Sequence, residues 1–414
     1  MSEYILNIGR QAKEASLELK GTSVKIRNNI INSIAEALED SKEDIFKANL
    51  IDITNGEENG LSKALIDRLR INQSRIDGMI EGLKTVARFE DPLSLSNLSW
   101  RHENGMQISQ VTVPLGVLGM IYESRPNVTV DVAGLSIKSG NCVILRGGSE
   151  AIHSNKALTN IIREAIQKEG MNPNIVQLIE KTDRALVKTL ITMNDYLDVL
   201  IPRGGRSLKK AIIADATVPV IETGEGLCHT YIDESADLEM ALNIIINAKT
   251  QRTGVCNAME TLLVHKNILT ILSPVNDALK SLDFEIRACQ RCLPFMSHAS
   301  LAVDEDWSTE YLDSILSVKA VSSVDEAIEH INKYGSGHSE AIVTEAYNNA
   351  ELFLNKVDAA AVYVNASTRF TDGEVFGFGG EVGISTQKLH ARGPMGITAL
   401  TSKKYVIRGN GQIR

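Results

Sequence analysis

The chain has 414 residues and a mass of 45.2 kDa, more than one ordinary hydrophobic core absorbs, so two or three domains are expected. Its residues are 43% hydrophobic and 23% charged, as in a globular protein. A net charge of −9, a pI near 5.5 and the lack of a basic stripe argue against a nucleic-acid role, and no apolar run approaches the roughly 20 residues of a membrane span.

Apolar residues recur at three and four positions in residues 24–35 and 65–83, so the first ninety residues read as helices, closed by Glu90-Asp91-Pro92. From about residue 97 a hairpin is predicted, with Asn104-Gly105 at its turn, and strand character continues through 109–113. Strands at 116–122, 142–145, 175–178 and 197–201 then alternate with helices at 130–138, 149–170 and 185–193. Beyond them, strands are expected at 218–222, 228–232, 260–265, 317–321, 340–344 and 361–365. Helices are expected at 237–248, 268–280, 324–333 and 346–355. Such alternation implies parallel sheets covered by helices on both faces. Residues 397–408 read as a strand with an exposed end, suited, like the early hairpin, to subunit pairing.

Met1-Ser2-Glu3-Tyr4 lacks the layout of a signal peptide, and five cysteines without framework spacing fit reduced thiols, so a soluble, cytoplasmic protein is expected. Cys289-Gln290-Arg291-Cys292 is a lone C-x-x-C. A zinc or a redox role is open to it, but no second ligand pair stands at metal spacing.

The chemistry-bearing stretch is Arg252-Thr253-Gly254-Val255-Cys256-Asn257-Ala258-Met259-Glu260. Cys256 stands in a Gly/Asn-bracketed turn before a short β-branched strand, and Glu222 stands 34 positions earlier at the mouth of Thr223-Gly224-Glu225-Gly226. Most cysteines are small buried hydrophobes, but one on a turn can act as a nucleophile toward an activated acyl group. Strand 197–201 runs into Pro202-Arg203-Gly204-Gly205-Arg206, and strand 142–145 into Arg146-Gly147-Gly148-Ser149-Glu150. Gly pairs between a strand end and a helix expose backbone N–H groups to an anion, and Arg146 suits a 2′-phosphate. Arg203 and Arg206 add charge, and Ser149 is also an N-cap candidate. No G-x-G-x-x-G fingerprint occurs at the right place.

The order of these motifs resembles that of the aldehyde dehydrogenase superfamily: the Gly116/Gly119 strand, residues 144–150, the Glu222 turn, then Cys256. Further segments narrow the resemblance to the branch that reduces an acyl phosphate of glutamate. They are residues 122–131, Ile201-Pro202-Arg203-Gly204-Gly205, the signature spanning 321–342, residues 364–370 and 389–394. The resemblance implies an α/β fold, aldehyde-dehydrogenase-like, with two parallel-sheet three-layer αβα domains and a small oligomerisation β-element. Residues 1–98 and 115–223 would form an NADP(H)-binding domain and 224–390 a catalytic domain; 99–114 and 391–414 would mediate oligomerisation.

The implied reaction converts L-glutamyl 5-phosphate and NADPH to glutamate 5-semialdehyde, phosphate and NADP+, the second step of proline biosynthesis. Cys256 would be the nucleophile. Asn127 or Arg125 would supply the oxyanion donor beside the Cys256 N–H. Glu222, which activates water in aldehyde oxidisers, would here tune the thiol or hold its turn. Arg146, Gly147, Ser149, Glu150, Arg203, Gly204 and Gly205 would hold the cofactor, and Glu310 its nicotinamide ribose. Arg125, Arg252, Arg369 and Arg392 are candidate substrate partners, although for each a surface ion pair competes. His330 and His338 could order a loop or meet phosphate, and no metal is implied. A homo-oligomer is expected, and the resemblance implies glutamate 5-kinase as a channelling partner. The alternatives are a CoA-acylating or simple aldehyde dehydrogenase and a non-catalytic relative.

Overall fold

A computed structural model of the chain describes residues 2–94 and 98–414; Met1, residues 95–97 and the side chains of Ser2, Ala64 and Arg206 lie outside it. The chain divides into two units. Unit 1 runs to Glu222 and includes Gly377–Gly383 and Met395–Arg414; unit 2 comprises Thr223–Phe376 and Ile384–Pro394.

The 3.6-residue apolar period at the start of unit 1 folds into α1 (Ser2–Lys20), α2 (Val24–Asp40), α3 (Lys42–Glu58), α4 (Lys63–Leu69) and α5 (Gln73–Arg88). Ser23, Ser62 and Asn72 cap α2, α4 and α5 by accepting a backbone N–H of the first turn. A buried cation ties this block to the loop at Asp91 and to the helix that ends at Lys138. Arg27, 2% exposed, donates to both Asp91 carboxylate oxygens at 2.9 and 3.0 Å and to Lys138 O at 2.7 Å. Lys138 in turn donates to Asn28 Oδ1 and Ala87 O at 2.7 and 2.9 Å.

The chain then forms β1 (Ser99–Arg101), β2 (Gln107–Pro114), β3 (Val117–Tyr122), α6 (Asn127–Lys138), β4 (Cys142–Arg146), α7 (Ile152–Lys168), β5 (Val176–Leu178), α8 (Ala185–Leu190), β6 (Val199–Arg203) and α9 (Arg206–Asp215). The main sheet is parallel with order β5-β4-β3-β6. From β3 the chain steps to β4 and β5 on one side and returns to β6 on the other. That reversal opens a crevice at the carboxyl ends of β3 and β6, the place where doubly wound sheets bind ligands.

Unit 2 contains β7 (Cys228–Ile232), α10 (Leu238–Thr250), β8 (Met259–His265), α11 (Leu272–Ser281), β9 (Glu285–Ala288), β10 (Ala299–Leu301), β11 (Ile315–Val321), α12 (Val324–Tyr334), β12 (Ser339–Val343), α13 (Tyr347–Lys356) and β13 (Ala361–Val364). A short antiparallel ladder joins β14 (Ile384–Ser385) to β15 (Gly393–Pro394). The parallel sheet has order β10-β9-β11-β8-β7-β12-β13. Its strands bury both faces: Leu262 and Val264 of β8 pack with α10 and α11, whereas Leu263 packs with the Val324, Ile328 and Phe353 side. The chain ends on β16 (Thr401–Arg408), which pairs antiparallel with β2 to give the small sheet β1-β2-β16 in unit 1.

The strand expected at 218–222 reduces to a single bridge between Val220 and Leu200, because Pro219 has no N–H to extend a ladder. β9 and β10 were not visible in the sequence: they are four and three residues long and carry Glu285, Arg287 and Ser300 among their apolar positions. α6 starts at Asn127, three residues before the helix read from periodicity.

Replacing Arg27 with Ala leaves Asp91 and Lys138 O without their buried partner. A loss of about 3 kcal/mol or more in chemical denaturation is expected; a loss below about 1 kcal/mol would show that the helical block docks without it.

Candidate active site

In unit 2 the thiol of interest stands on a turn, three residues before β8, and is half-buried. The turn is held by a backbone contact with no room for a side chain. A Cβ at Gly226 would lie 1.8 Å from Cys256 O and 2.3 Å from Cys256 Cα, so only glycine fits. Gly226 N–H donates to Glu310 Oε1 at 2.7 Å, and Leu227 N–H to Ser336 Oγ at 3.0 Å. Two residues beyond Glu310, Leu312 has a φ of 53°, and its N–H donates to Glu260 Oε1 at 3.1 Å. Glu260 itself is fully buried and paired with Lys249 at 2.7 Å; burial pushes its carboxyl up to about 7 and pushes the Lys249 ammonium down. A buried ion pair thus anchors the loop whose carboxylate anchors Gly226.

The residue after the thiol is fixed as firmly. Asn257 donates through Nδ2 to Thr371 O at 2.9 Å, and its carbonyl accepts from Thr368 Oγ1 at 2.8 Å. From the other side Cys228 Sγ donates to Cys256 O at 3.1 Å and lies 3.8 Å from His338 Nδ1. Burial pushes the Cys228 thiol well up, so it stays protonated as a donor. His338 continues through Ser339 Oγ at 2.8 Å to Thr371 Oγ1 and Tyr363 OH. His330 belongs elsewhere: it packs against His229, Trp307 and Tyr334, and burial beside His229, Lys319 and Lys333 holds it neutral, its pKa pushed down to about 2.

Of the arginines in this unit, Arg369 follows the Thr368 that holds Asn257. It is half-buried and donates to Gln251 Oε1 at 3.0 Å. Burial and the neighbouring Arg252 charge press its pKa down, and the fields of Cys256 and Cys228 act on it. Arg252 and Arg369 therefore make one cationic locus in the electrostatic reach of the thiol. Arg392 is committed differently, donating to Asp358 at 2.7 Å beside Lys388.

In unit 1 the candidates gather on the loops after β3, β4 and β6. Asn127, the first residue of α6, donates to Asp131 Oδ2 at 2.9 Å. Burial pushes Asp131 up to about 6, against the opposing effects of Asn127 and the Arg203 charge. Ser124 has a φ of 40°, and Glu150 Oε1 accepts both its N–H at 2.8 Å and its hydroxyl at 2.6 Å. Glu150 thereby fixes the loop that presents Arg125 and Asn127. Gly148, rather than Ser149, takes the cap position ahead of the turn 149–151. Glu222 lies half-buried at the unit's end.

Two features of this edge fit a phosphate-bearing cofactor. A Cβ at Gly147 would lie 2.2 Å from Asn155 Nδ2 and would displace that amide, and Asn155 Nδ2 and Arg146 Nε are buried with no partner. The Arg146 guanidinium is aimed by the carbonyls of Gly147 and Thr182. At the β6–α9 turn Gly205 N–H already receives an anion, the Glu123 carboxylate, at 3.0 Å, and Arg203 donates to Val382 O at 3.2 Å. A Cβ on Gly204 would come within 2.8 Å of the same carboxyl. Among the described residues no cluster of His, Cys, Asp or Glu is arranged to hold a metal ion, and no helix is long and apolar enough to cross a membrane.

In the sequence Gly226 and Glu260 appear only as members of their turns, and nothing there assigns a role to Cys228, Asp131, Glu123 or Thr371. Gly226 was detectable as a second glycine in a Glu-bearing turn. The others carry no local signal: the partners of Cys228, Glu123 and Thr371 lie 28, 82 and 114 positions away, and Asp131 acts through its burial in the folded chain.

Compared with known proteins, residues 2–286 and 302–406 match the model of the aldehyde dehydrogenase family. The chain is 55% identical over 411 residues to the gamma-glutamyl phosphate reductase of Francisella philomiragia, covering 99% of each chain. It is 54% identical to that of Halothermothrix orenii, over 100% of this chain and 99% of the relative. The crystal structure of gamma-glutamyl phosphate reductase from Thermotoga maritima superimposes with a TM-score of 0.95 at 48% identity, covering 99% of both chains. An acetylating aldehyde dehydrogenase from Geobacillus thermoglucosidasius, 19% identical with a TM-score of 0.74 over 100% and 98% of the two chains, shares the fold.

Gly226→Ala is expected to lower stability by about 3 kcal/mol and to change the alkylation rate of Cys256; unaltered stability and rate would contradict the close backbone contact. Asp131 gives a pH-dependent test. Its folded carboxyl titrates near 6, above the ordinary 3.8, so the folded state keeps a proton that the unfolded chain releases. Asp131 therefore costs stability as pH rises through that window. The stability of Asp131→Asn relative to the parent chain should climb between pH 4 and 6; parallel stability curves would refute this.

Proposed function

The chain belongs to the aldehyde dehydrogenase family, whose members use nicotinamide cofactors, and we propose that it reduces L-glutamyl 5-phosphate to L-glutamate 5-semialdehyde, with NADPH as reductant and release of phosphate. This is the proline-biosynthesis step of the enzyme for which its full-length relatives are named. The observation that carries the reading is the half-buried Cys256 on a clamped turn, in the electrostatic reach of Arg369 and Arg252, in a chain that matches those relatives end to end.

The Cys256 thiolate attacks the acyl carbon, and the C–O bond to phosphate breaks with its electron pair leaving on phosphate. Phosphate is a good leaving group, so no strong general acid is needed. Arg252 and Arg369 favour the anionic substrate and the departing phosphate, with Arg125 a further partner. Charge develops on the carbonyl oxygen as the thioester forms and again as it is reduced. The Cys256 N–H and the Asn127 amide, oriented by Asp131, are the donors assigned to it. When bound, NADPH supplies the hydride. Arg146, Gly147, Ser149, Glu150, Arg203, Gly204 and Gly205 are the residues assigned to hold it. Arg146 is placed at the 2′-phosphate, and Glu310 would reach the nicotinamide ribose with the carboxylate that also holds Gly226. Collapse of the resulting thiohemiacetal expels the Cys256 thiolate and frees the aldehyde. Glu222 is assigned to tuning the thiol or holding its turn, since hydrolysis of the thioester would waste the substrate.

Localisation in the cytoplasm, a homo-oligomer and transfer from glutamate 5-kinase complete the proposal. The exposed face of the small sheet supports the oligomer: Trp100, Tyr405 and Ile407 are 45%, 59% and 58% exposed, and β16 is an edge strand. Tyr405→Asp with Ile407→Lys should lower the molar mass in light scattering; an unchanged mass would remove this sheet from the assembly.

The direct test runs the reaction backwards: glutamate 5-semialdehyde and NADP+ should turn over repeatedly to NADPH only with phosphate or arsenate, and without either should stop at one NADPH per chain. Turnover without either, or dependence on coenzyme A, would point to another aldehyde dehydrogenase. Cys256→Ser should fold normally and lose about 10⁴-fold in turnover; a chain that fails to fold would make Cys256 structural. Arg146→Ala should weaken NADPH by about tenfold or more while affecting NADH less; equal effects would remove the 2′-phosphate role.

A further inference from the structure

We propose that Cys289 and Cys292 form a redox-active dithiol that exchanges with low-molecular-weight disulfides, a second thiol site separate from Cys256. The inference stands on unit 2 alone and does not depend on the reaction proposed above.

The pair follows β9 directly. Cys289 N–H donates to Val318 O at 2.9 Å, and the turn closes with Cys292 N–H on Cys289 O at 2.9 Å. The two Sγ atoms lie 3.5 Å apart in hydrogen-bonding contact, and Cys289 Sγ also accepts the Ala320 N–H of β11 at 3.3 Å. The two thiols differ in access. Cys289 is partly exposed beside the exposed Gln290 and Arg291, whereas Cys292 is sealed in the core with Ala288, Met296 and Leu316. An outer sulfur within reach of a reagent and an inner sulfur within reach of the outer one is the arrangement a thiol–disulfide exchange requires.

The electrostatics agree. The Cys292 S–H and the backbone N–H groups of Ala320, Arg291 and Cys292 bring the Cys289 thiol down to about 5, against its burial, and the same contact with burial pushes Cys292 up. At neutral pH the outer sulfur is a thiolate and the inner one a thiol. A zinc site is not supported, since no cluster of metal-ligating side chains occurs among the described residues.

The site is also remote from Cys256 in the topology. The sheet is parallel, with Leu262 of β8 level with Val318 of β11 and Ala288 of β9. Cys256 precedes β8 and Cys289 follows β9, so the two thiols stand at opposite strand ends of one sheet.

The exchange balances in two steps. The Cys289 thiolate attacks one sulfur of R–S–S–R, forming a mixed disulfide and expelling RS⁻. Cys292 then gives up its proton and attacks Cys289 Sγ, forming the Cys289–Cys292 disulfide and expelling the second RS⁻. The protein dithiol is oxidised and the small disulfide is reduced to two RSH. At pH 6 a thiol of pKa near 5 is ionised some 300-fold more than an ordinary one. Lower nucleophilicity gives back about 40-fold, leaving a rate advantage of roughly tenfold.

The test uses the full-length protein in graded mixtures of oxidised and reduced glutathione, quenched with acid and digested with trypsin. Cleavage after Arg291 separates peptides 288–291 and 292–319. In the oxidised protein they should remain joined, and dithiothreitol should release them. Cys292→Ser should instead trap one glutathione on Cys289, and Cys289→Ser should give neither product. Iodoacetamide at pH 6 should alkylate Cys289 in the parent chain roughly tenfold faster than free glutathione. Peptides that separate at every glutathione ratio, or a Cys289 slower than free glutathione, would overturn the proposal even if a variant fails to fold.

Discussion

The close passage of the Gly226 backbone over Cys256 is the constraint on which the thiol's placement depends. With no Cβ in the way, the turn before β8 lies directly on the turn before β7, and two strand entries are locked at the amino ends of the strands. Each neighbour reinforces that lock. Glu310 holds the Gly226 N–H, Glu260 holds the loop behind Glu310, and Cys228 donates to the carbonyl of Cys256 itself. Nucleophilic catalysis needs such rigidity, because an error of about 1 Å in placement can cost a hundredfold in rate.

Environment separates the cysteines into roles. Cys142 and Cys228 are buried where desolvation holds the proton on sulfur, so they pack or donate. Cys256 stands half-buried on a turn with two arginines in electrostatic reach, and Cys289 is ringed by N–H donors. One residue type thus serves as core, as hydrogen-bond donor and as candidate nucleophile. The difference lies in what surrounds each sulfur, which spacing along the chain does not reveal.

Much of the architecture was legible from pattern. The alternation of strand and helix forecast parallel sheets flanked by helices, and residues 260–265 and 317–321 emerge as the central strands β8 and β11. What failed did so for physical reasons. Pro219 broke a run that hydropathy read as a strand, and β9 and β10 are too short and too polar to stand out, being made by their neighbours β11 and β9. At the candidate site, Cys256 and the glycine turns were visible because turns demand particular residues. The carboxylates Glu123, Asp131 and Glu260 were given no role, since a carboxylate's part depends on partners that only folding supplies. Arg392 shows the converse: turn residues flank it, and the fold spends it on Asp358.

The proposed chemistry runs through a covalent bond to one sulfur. Mixing the protein with glutamate 5-semialdehyde and NADP+ in the absence of phosphate should halt the reverse reaction at the acylated enzyme. Mass spectrometry of the digested chain should then find a glutamyl group on the peptide that carries Cys256 and on no other. NADPH formed in a stoichiometric burst without that adduct, or with the adduct on another residue, would contradict the account.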